Sequence, residues 1–408
     1  MKTERLDERT ETSLALASVC LVLGVFLVYK WWGIFVGVCS GYIYSDVPLH
    51  IELARGGNDY GFSSLLVKLL DLGGQSFLEK GLAVALTLNN VLGLFTLSLL
   101  LRALLPSLGF LPALLASMLA HICGPWIIPG YQTGIYMGAY NGNLYHNMTV
   151  LFSRSFIPLC LIFFFRLWEN RRCEICRGDW LGFMLSLFLC TGFKPNFAFA
   201  LIPLAAVLMI ADLIKTRGRS FKPLFIIGCA ILPAGFLCIA QYLVLFDQSF
   251  GQSATDMLHE MDESFVDTSS GIAFRFLWGA ELLAVLVMYL RSLALPIYTL
   301  ALQGPKEPNK SRIKLFLWVE LIALVEASVL VETGYRANHG NFDWGGLALY
   351  PAVFGLGIAL LFRLFQQLRR DRPGTIIKPL LGLVLLLGHL ATGLYFMYYF
   401  AYVNSYFI

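Results

Sequence analysis

Asp46 and His50 stand four residues apart in the run Tyr44-Ser45-Asp46-Val47-Pro48-Leu49-His50-Ile51-Glu52. Pro48 behind Ser45 and Asp46 reads as a helix start, with a capping side chain and proline in the first turn. On such a turn Asp46 and His50 share a face, which pairs a carboxylate with an imidazole, two groups able to exchange protons. The purely structural alternative is an Asp46 that only caps and a His50 seated among lipid headgroups.

Three other segments carry unusual polar groups. Between Gly130 and Asn147, Asn141, Asn143, His146 and Asn147 follow a stretch dominated by glycine and tyrosine. Glycine lets backbone approach a ligand closely, and tyrosine offers a flat hydrogen-bonding surface suited to a sugar ring; an interfacial aromatic belt explains the tyrosines as well. Lys194-Pro195 interrupts two short apolar runs. A cation so near hydrocarbon faces a cavity or a partner, such as a lipid phosphate, unless it snorkels to the interface. Glu332, Arg336, His339 and Asp343 lie within one short segment beside Asn338, Asn341 and Trp344. Arginine grips a phosphate through two parallel hydrogen bonds, and a structural Glu332–Arg336 pair is the alternative there. Glu281 and Glu326 fall inside apolar runs and need partners. The acidic stretch 247–271 (Asp256, Glu260, Asp262, Glu263, Asp267) reads as a solvated face or flap.

These segments must be held by membrane helices. Hydrophobic residues make up 58% of the chain, charged residues 14%, and the mean hydropathy is +0.70; a soluble domain carries roughly 25% charged residues. Apolar stretches of about 20 residues recur throughout, and in lipid only a helix or closed barrel pairs all its backbone groups. No alternating barrel strands are evident. The expected fold is all-α, a single polytopic domain over 1–408 with about eleven spans, near 13–37, 81–103, 107–128, 147–167, 179–193, 197–214, 223–246, 272–290, 314–332, 345–365 and 378–402. The segment after Arg291 either prolongs the eighth span past Pro296 or lies on the surface. The first run, Thr12 to Val38, is too long for a signal core.

Lysine and arginine fall in alternate loops: Lys2, Arg5 and Arg9; Arg171, Arg172 and Arg177; Lys215, Arg217, Arg219 and Lys222; Lys306, Lys310, Arg312 and Lys314; Arg369, Arg370, Arg372 and Lys378. The positive-inside rule makes these cytoplasmic, with the N-terminus inside and the C-terminus extracytoplasmic. All the polar segments above then face outward. The outer loop 39–80 contains an interrupted apolar stretch, 62–77, suited to helices lying on the membrane. The cytoplasmic loops are short, with no nucleotide-binding glycine motif. The nine cysteines are mostly single and apolar in context; Cys173 and Cys176 form a CxxC without the second pair that a zinc site needs. The sequon at Asn147 abuts the membrane and is discounted.

In this layout the chain resembles the GT-C superfamily of membrane glycosyltransferases. The resemblance rests on the acidic residue after the first span (Asp46), the surface stretch 62–77 and the tight hairpin at Pro106–Gly109. It also rests on Tyr145-His146-Asn147, Lys194-Pro195-Asn196, Glu332-Thr333-Gly334-Tyr335-Arg336 and His339-Gly340-Asn341-Phe342, similar to stretches in bacterial multispan proteins. The resemblance implies a polyprenyl-phosphate-linked sugar donor and a glycan or lipid acceptor, with membrane lipid as surroundings and no nucleic acid. Asp46 would be the general base and His50 would orient it or bind sugar. Lys194 and Arg336 would hold the lipid phosphate, and Glu332 would orient Arg336. His146 and His339 would line the sugar pocket, with Asn143 among the binding residues. The family's paired acidic motifs are absent, since Val47 and Pro48 follow Asp46, so dependence on a divalent metal stays open. Alternatives are a polysaccharide polymerase or ligase using a lipid-diphosphate glycan, a transporter or flippase, and a membrane acyltransferase. The expected location is a bacterial inner membrane.

Overall fold

A computed structural model of the chain describes residues 2–57, 61–126, 141–245, 272–274, 277, 279–303, 306–332, 341–368 and 376–403. A long helix, α1 (Lys2–Cys39), is followed by two short ones, α2 (Val47–Arg55) and α3 (Phe62–Asp71). Then come α4 (Gln75–Leu104), α5 (Phe110–Ala120), α6 (Met148–Arg154), α7 (Ile157–Asn170), α8 (Arg177–Phe193), α9 (Asn196–Lys215) and α10 (Phe221–Leu245). Strand β1 (Ile272–Phe274) precedes α11 (Ala280–Ser292), α12 (Ala294–Gln303) and α13 (Lys310–Val329). Strand β2 (Leu330–Glu332) then pairs antiparallel with β1, before α14 (Trp344–Leu368) and α15 (Ile377–Val403).

Among the described residues, seven helical segments are long and apolar enough to cross a membrane: Thr10–Cys39, Gln75–Leu104, Met148–Asn170, Asn196–Lys215, Phe221–Val244, Trp344–Gln367 and Ile377–Val403. An eighth is added if α11 and α12, bent by 72° at their junction, form one broken span. The remaining expected spans are also helical but differ in kind. α5 has 11 residues, α8 has 17, and α13 has 20 but carries Glu320 and Glu326. The stretches expected near 272–290 and 314–332 each contribute a strand to the small ribbon, so Glu332 ends an extended segment rather than a helix.

α14 is central, with 89% of its most apolar window buried, whereas α1, at 11%, faces outward and presents apolar side chains. That arrangement suits lipid, which solvates apolar side chains as well as a core does, so close packing of small residues holds such helices together. Gly393 of α15 is one such contact: a Cβ there would stand 1.6 Å from the Ile122 carbonyl oxygen.

α5 stops early because Gly124-Pro125 follows it, and proline disfavours helix in the residue before it. The chain from His121 to Trp126, and again from Asn141 to Asn147, is non-helical although it is buried. Such backbone survives only where protein supplies its hydrogen bonds. Gly124 N donates to the His389 carbonyl (2.9 Å) and Gly142 N to the Cys123 carbonyl (2.8 Å). Asn143 Nδ2 donates to the His121 carbonyl (3.0 Å). Arg154 donates to the Gly142 carbonyl (2.7 Å) and to that of Leu347. His389 joins the two breaks in the helical pattern. Its Nε2 accepts from Leu295 N at the α11–α12 bend (3.5 Å), so Nδ1 carries the proton and donates to the Gly124 carbonyl (2.6 Å).

The opposite end of the bundle from Lys194 is fastened by charge. Arg312 forks onto Glu169 and reaches the Ala103 carbonyl (2.9 Å), Arg363 pairs with Glu307, and Arg171 (2.8 Å) and Arg172 (3.0 Å) share one oxygen of Asp212.

Candidate functional site

Helix directions bring Asp46, His50, His146, Lys194 and Trp344 to one end of the bundle, away from the basic loops. Asp46 occupies the N-cap of α2, but its side chain makes no capping hydrogen bond. Ser45 Oγ accepts from Val47 N instead (3.2 Å), so Ser45 rather than Asp46 serves the helix start. Asp46 N donates to the His146 carbonyl (3.3 Å), and His50 N to the Asp46 carbonyl (3.0 Å). The first of these bonds joins two segments that stand about 100 residues apart in the sequence. Val47, Ile51 and Ala54 bury one face of α2, while Arg55 pairs with Asp71 (2.5 Å) and reaches Gln75 (2.7 Å), tying α2 to the end of α3 and the start of α4.

Lys194 sits where α8 ends in extended backbone. The junction is fixed from three sides. Gln241 Nε2 donates to the carbonyls of Thr191 (3.1 Å) and Gly192 (3.3 Å). Phe193 stacks on Phe152 (4.9 Å), and Phe62 of α3 lies directly over Gly192, where a Cβ would meet its ring at 2.1 Å. The Lys194 ammonium lies over the Trp344 ring, 5.1 Å from its centroid, and the His146 ring is 5.7 Å from the same indole. Gly345 lets the first turn of α14 press against the Asn196 carbonyl and Ala323, which sets Trp344 in place. Tyr145 is wedged between Phe35 of α1 and Phe396 and Phe400 of α15, fixing the neighbouring His146.

The electrostatics follow from burial and one cation. Burial raises the Asp46 pKa, and the Lys194 charge opposes that rise. Burial, reinforced by Lys194, lowers His50 to about 4. Burial first, then Lys194 and Arg154, lower His146 to about 3. Near neutral pH the site therefore holds two neutral imidazoles, an ammonium, and a carboxyl whose proton affinity is enhanced. The arrangement can accept a proton at Asp46, compensate an anion at Lys194 and hydrogen-bond hydroxyls through the imidazoles.

Of the residues singled out in the sequence, Asp46, His50, His146 and Lys194 come together. Asn143 lies deeper, with its amide bonded to the His121 carbonyl. Glu332 is described only as the last residue of β2, and Arg336 and His339 lie outside the described residues. Among the described residues no group of three or more His, Cys, Asp or Glu side chains is disposed to hold a metal ion. Glu281 is exposed at the start of α11.

The sequence gives Trp344 only as a neighbour of the charged residues between 332 and 343, and it does not single out Arg154, His389 or Glu320. Arg154 in LFSRSFIP and Glu320 in LWVELIAL are single charges inside apolar runs, a signal the sequence offered. Glu320 is buried beneath the start of α14, its carboxylate without a hydrogen-bond partner among the described residues. No protein-family model matches the chain, and no curated protein matches it.

Proposed function

We propose that the chain transfers a sugar from a polyprenyl-phosphate carrier to a glycan or lipid acceptor, with Asp46 as general base. The observation that carries this reading is the convergence of a half-buried carboxylate, a lysine and two neutral imidazoles from three separate segments. The acceptor hydroxyl gives its proton to Asp46 as its oxygen bonds to the anomeric carbon. The anomeric carbon–oxygen bond to phosphate breaks, and the carrier leaves as the polyprenyl phosphate. Lys194 compensates the charge that grows on that phosphate, and Arg336 is its expected companion. His50 and His146 hold sugar hydroxyls as neutral hydrogen-bonding groups.

This reading includes an eleven-span topology with the basic end in the cytoplasm and the C-terminus outside. It is supported by the seven apolar segments and the bent α11–α12 pair, and it counts the shorter or charged helices α5, α8 and α13 as the other three spans. A bacterial inner membrane is the proposed location.

The test uses purified protein in lipid discs with a panel of polyprenyl-monophosphate sugars. Asp46→Asn is expected to lose turnover by about 10²- to 10⁴-fold while still binding donor, and Lys194→Ala to weaken donor binding. Absence of turnover with every monophosphate donor, together with turnover of a lipid-diphosphate glycan, would replace this reading with a polymerase or ligase.

A further inference from the structure

At the basic end, the loops after α7 and α9 enclose a cleft of about 850 Å³. Its lining includes Arg171, Arg172, Lys215, Arg217, Arg219 and Lys222, with Glu174 as the one acidic lining residue among the described residues. Asp212, beneath it, pairs with Arg171 and Arg172 through one oxygen, so the cations outnumber the nearby carboxylates.

The walls are built rather than incidental. Arg171 lies 4.1 Å from the Trp168 ring centroid and donates to the Trp168 carbonyl (2.6 Å), which holds its guanidinium in one orientation. The α9–α10 turn contains two consecutive residues at positive φ, Arg217 (51°) and Gly218 (83°). A non-glycine residue in that region is uncommon and is held by its surroundings. Here the clamps are Gly218 N to the Leu213 carbonyl (2.9 Å), Arg217 N to that of Ile214 (3.1 Å), and the Thr216–Ser220 hydroxyl pair (2.7 Å). Trp180 Nε1 donates to the Ile226 carbonyl (2.7 Å) and fixes the opposite wall.

Exposed apolar side chains adjoin the cations: Ile214, Phe221 and Phe225 all point outward beside this turn. Aromatic and aliphatic groups next to lysine and arginine mark the level where hydrocarbon meets headgroups. A basic pocket between helix ends at that level fits a lipid phosphate.

We infer that this cleft binds the phosphate of an anionic lipid headgroup. The inference does not depend on the glycosyl-transfer reading, because it concerns the other end of the bundle.

The test compares thermal unfolding of the full chain in micelles doped with phosphatidylglycerol, in neutral phosphatidylcholine micelles, and in neutral micelles with inorganic phosphate. Arg219→Gln/Lys222→Gln removes two exposed cleft cations without touching the Asp212 pairs, and Lys310→Gln/Lys314→Gln removes two at the same end outside the cleft. Phosphatidylglycerol is expected to stabilise the wild type saturably. The cleft variant should bind it about 30-fold more weakly, from ~1 kcal/mol for each cation, and the control variant should behave as wild type. Equal weakening in both variants would mean diffuse surface attraction and overturn the site. Stabilisation by inorganic phosphate without stabilisation by phosphatidylglycerol would overturn the lipid source.

Discussion

Asp46 differs from an ordinary capping aspartate because its neighbour does the capping. Ser45 accepts from Val47 N, which leaves the Asp46 side chain near Lys194, where each charge acts on the other. That Asp46 and His50 share one helical turn was legible in sequence from the i, i+4 spacing behind Pro48, and the His50 N–H donates to the Asp46 carbonyl. Their meeting with His146 and Lys194 was not, since it depends on packing between segments about 50 to 150 residues distant. His146 gives a residue-scale prediction. Its folded pKa of about 3 lies below the ordinary histidine value of 6.5, so on acidification the unfolded chain takes up a proton before the folded one does. Stability contributed by the neutral ring is thus present above the unfolded pKa and lost below it, at about 1.4 kcal/mol per pH unit. Acidification from about pH 7.5 to about pH 5 should cost ~2 kcal/mol through this residue. Thermal unfolding in detergent should show a smaller acid-induced drop in His146→Gln than in the wild type. An equal drop in both would remove His146 from this account.

At the scale of elements, the strongest long helices were readable from hydropathy alone, and so was the sorting of cations to alternate loops. The broken elements were less readable. α5 carries the composition of a span but ends at Ala120 because Gly124-Pro125 follows, and the buried irregular backbone beyond it is held by Arg154, Asn143 and His389 from distant segments. Local sequence cannot show those partners. The close approach of α15 to this backbone makes Gly393 decisive. A methyl group there would meet the Ile122 carbonyl oxygen at 1.6 Å and Gly124 N at 2.9 Å, both rigid backbone atoms. Gly235 of α10 has nothing within 4 Å of a would-be Cβ. Gly393→Ala should therefore destabilise by about 3 kcal/mol or more, as overpacking does when neither side can yield. Gly235→Ala should be neutral or add up to ~1 kcal/mol through helix propensity. Unfolding of the two variants under identical detergent conditions checks the contrast. Similar stability for both would mean that α15 does not pack on the Ile122–Gly124 segment as described.

The whole molecule is polarised: one end carries the basic cleft with Arg171, Arg172, Lys215, Arg217, Arg219 and Lys222, the other carries Asp46, His50, His146 and Lys194. α8 alone, with 17 residues, separates Arg177 from Lys194 by about 25 Å at 1.5 Å per residue, close to the roughly 30 Å thickness of a bilayer's hydrocarbon. In the proposed topology the two ends therefore lie at opposite membrane faces, with the cleft on the cytoplasmic side by the positive-inside rule. Cys173 and Cys176 are exposed at the basic end, whereas Cys20, Cys39, Cys123, Cys160 and Cys190 are buried. A membrane-impermeant maleimide gives a direct readout. In sealed right-side-out vesicles Cys173 and Cys176 should stay unlabelled, and in inside-out vesicles they should react. Tyr44→Cys, at an exposed position beside Asp46, should show the reverse pattern in a background where Cys173 and Cys176 are serine. Labelling of both positions from one side would break the two-ended architecture. A clean inversion would keep that architecture and move the candidate site to the cytoplasmic face, where a carrier lipid would have to present its sugar inward.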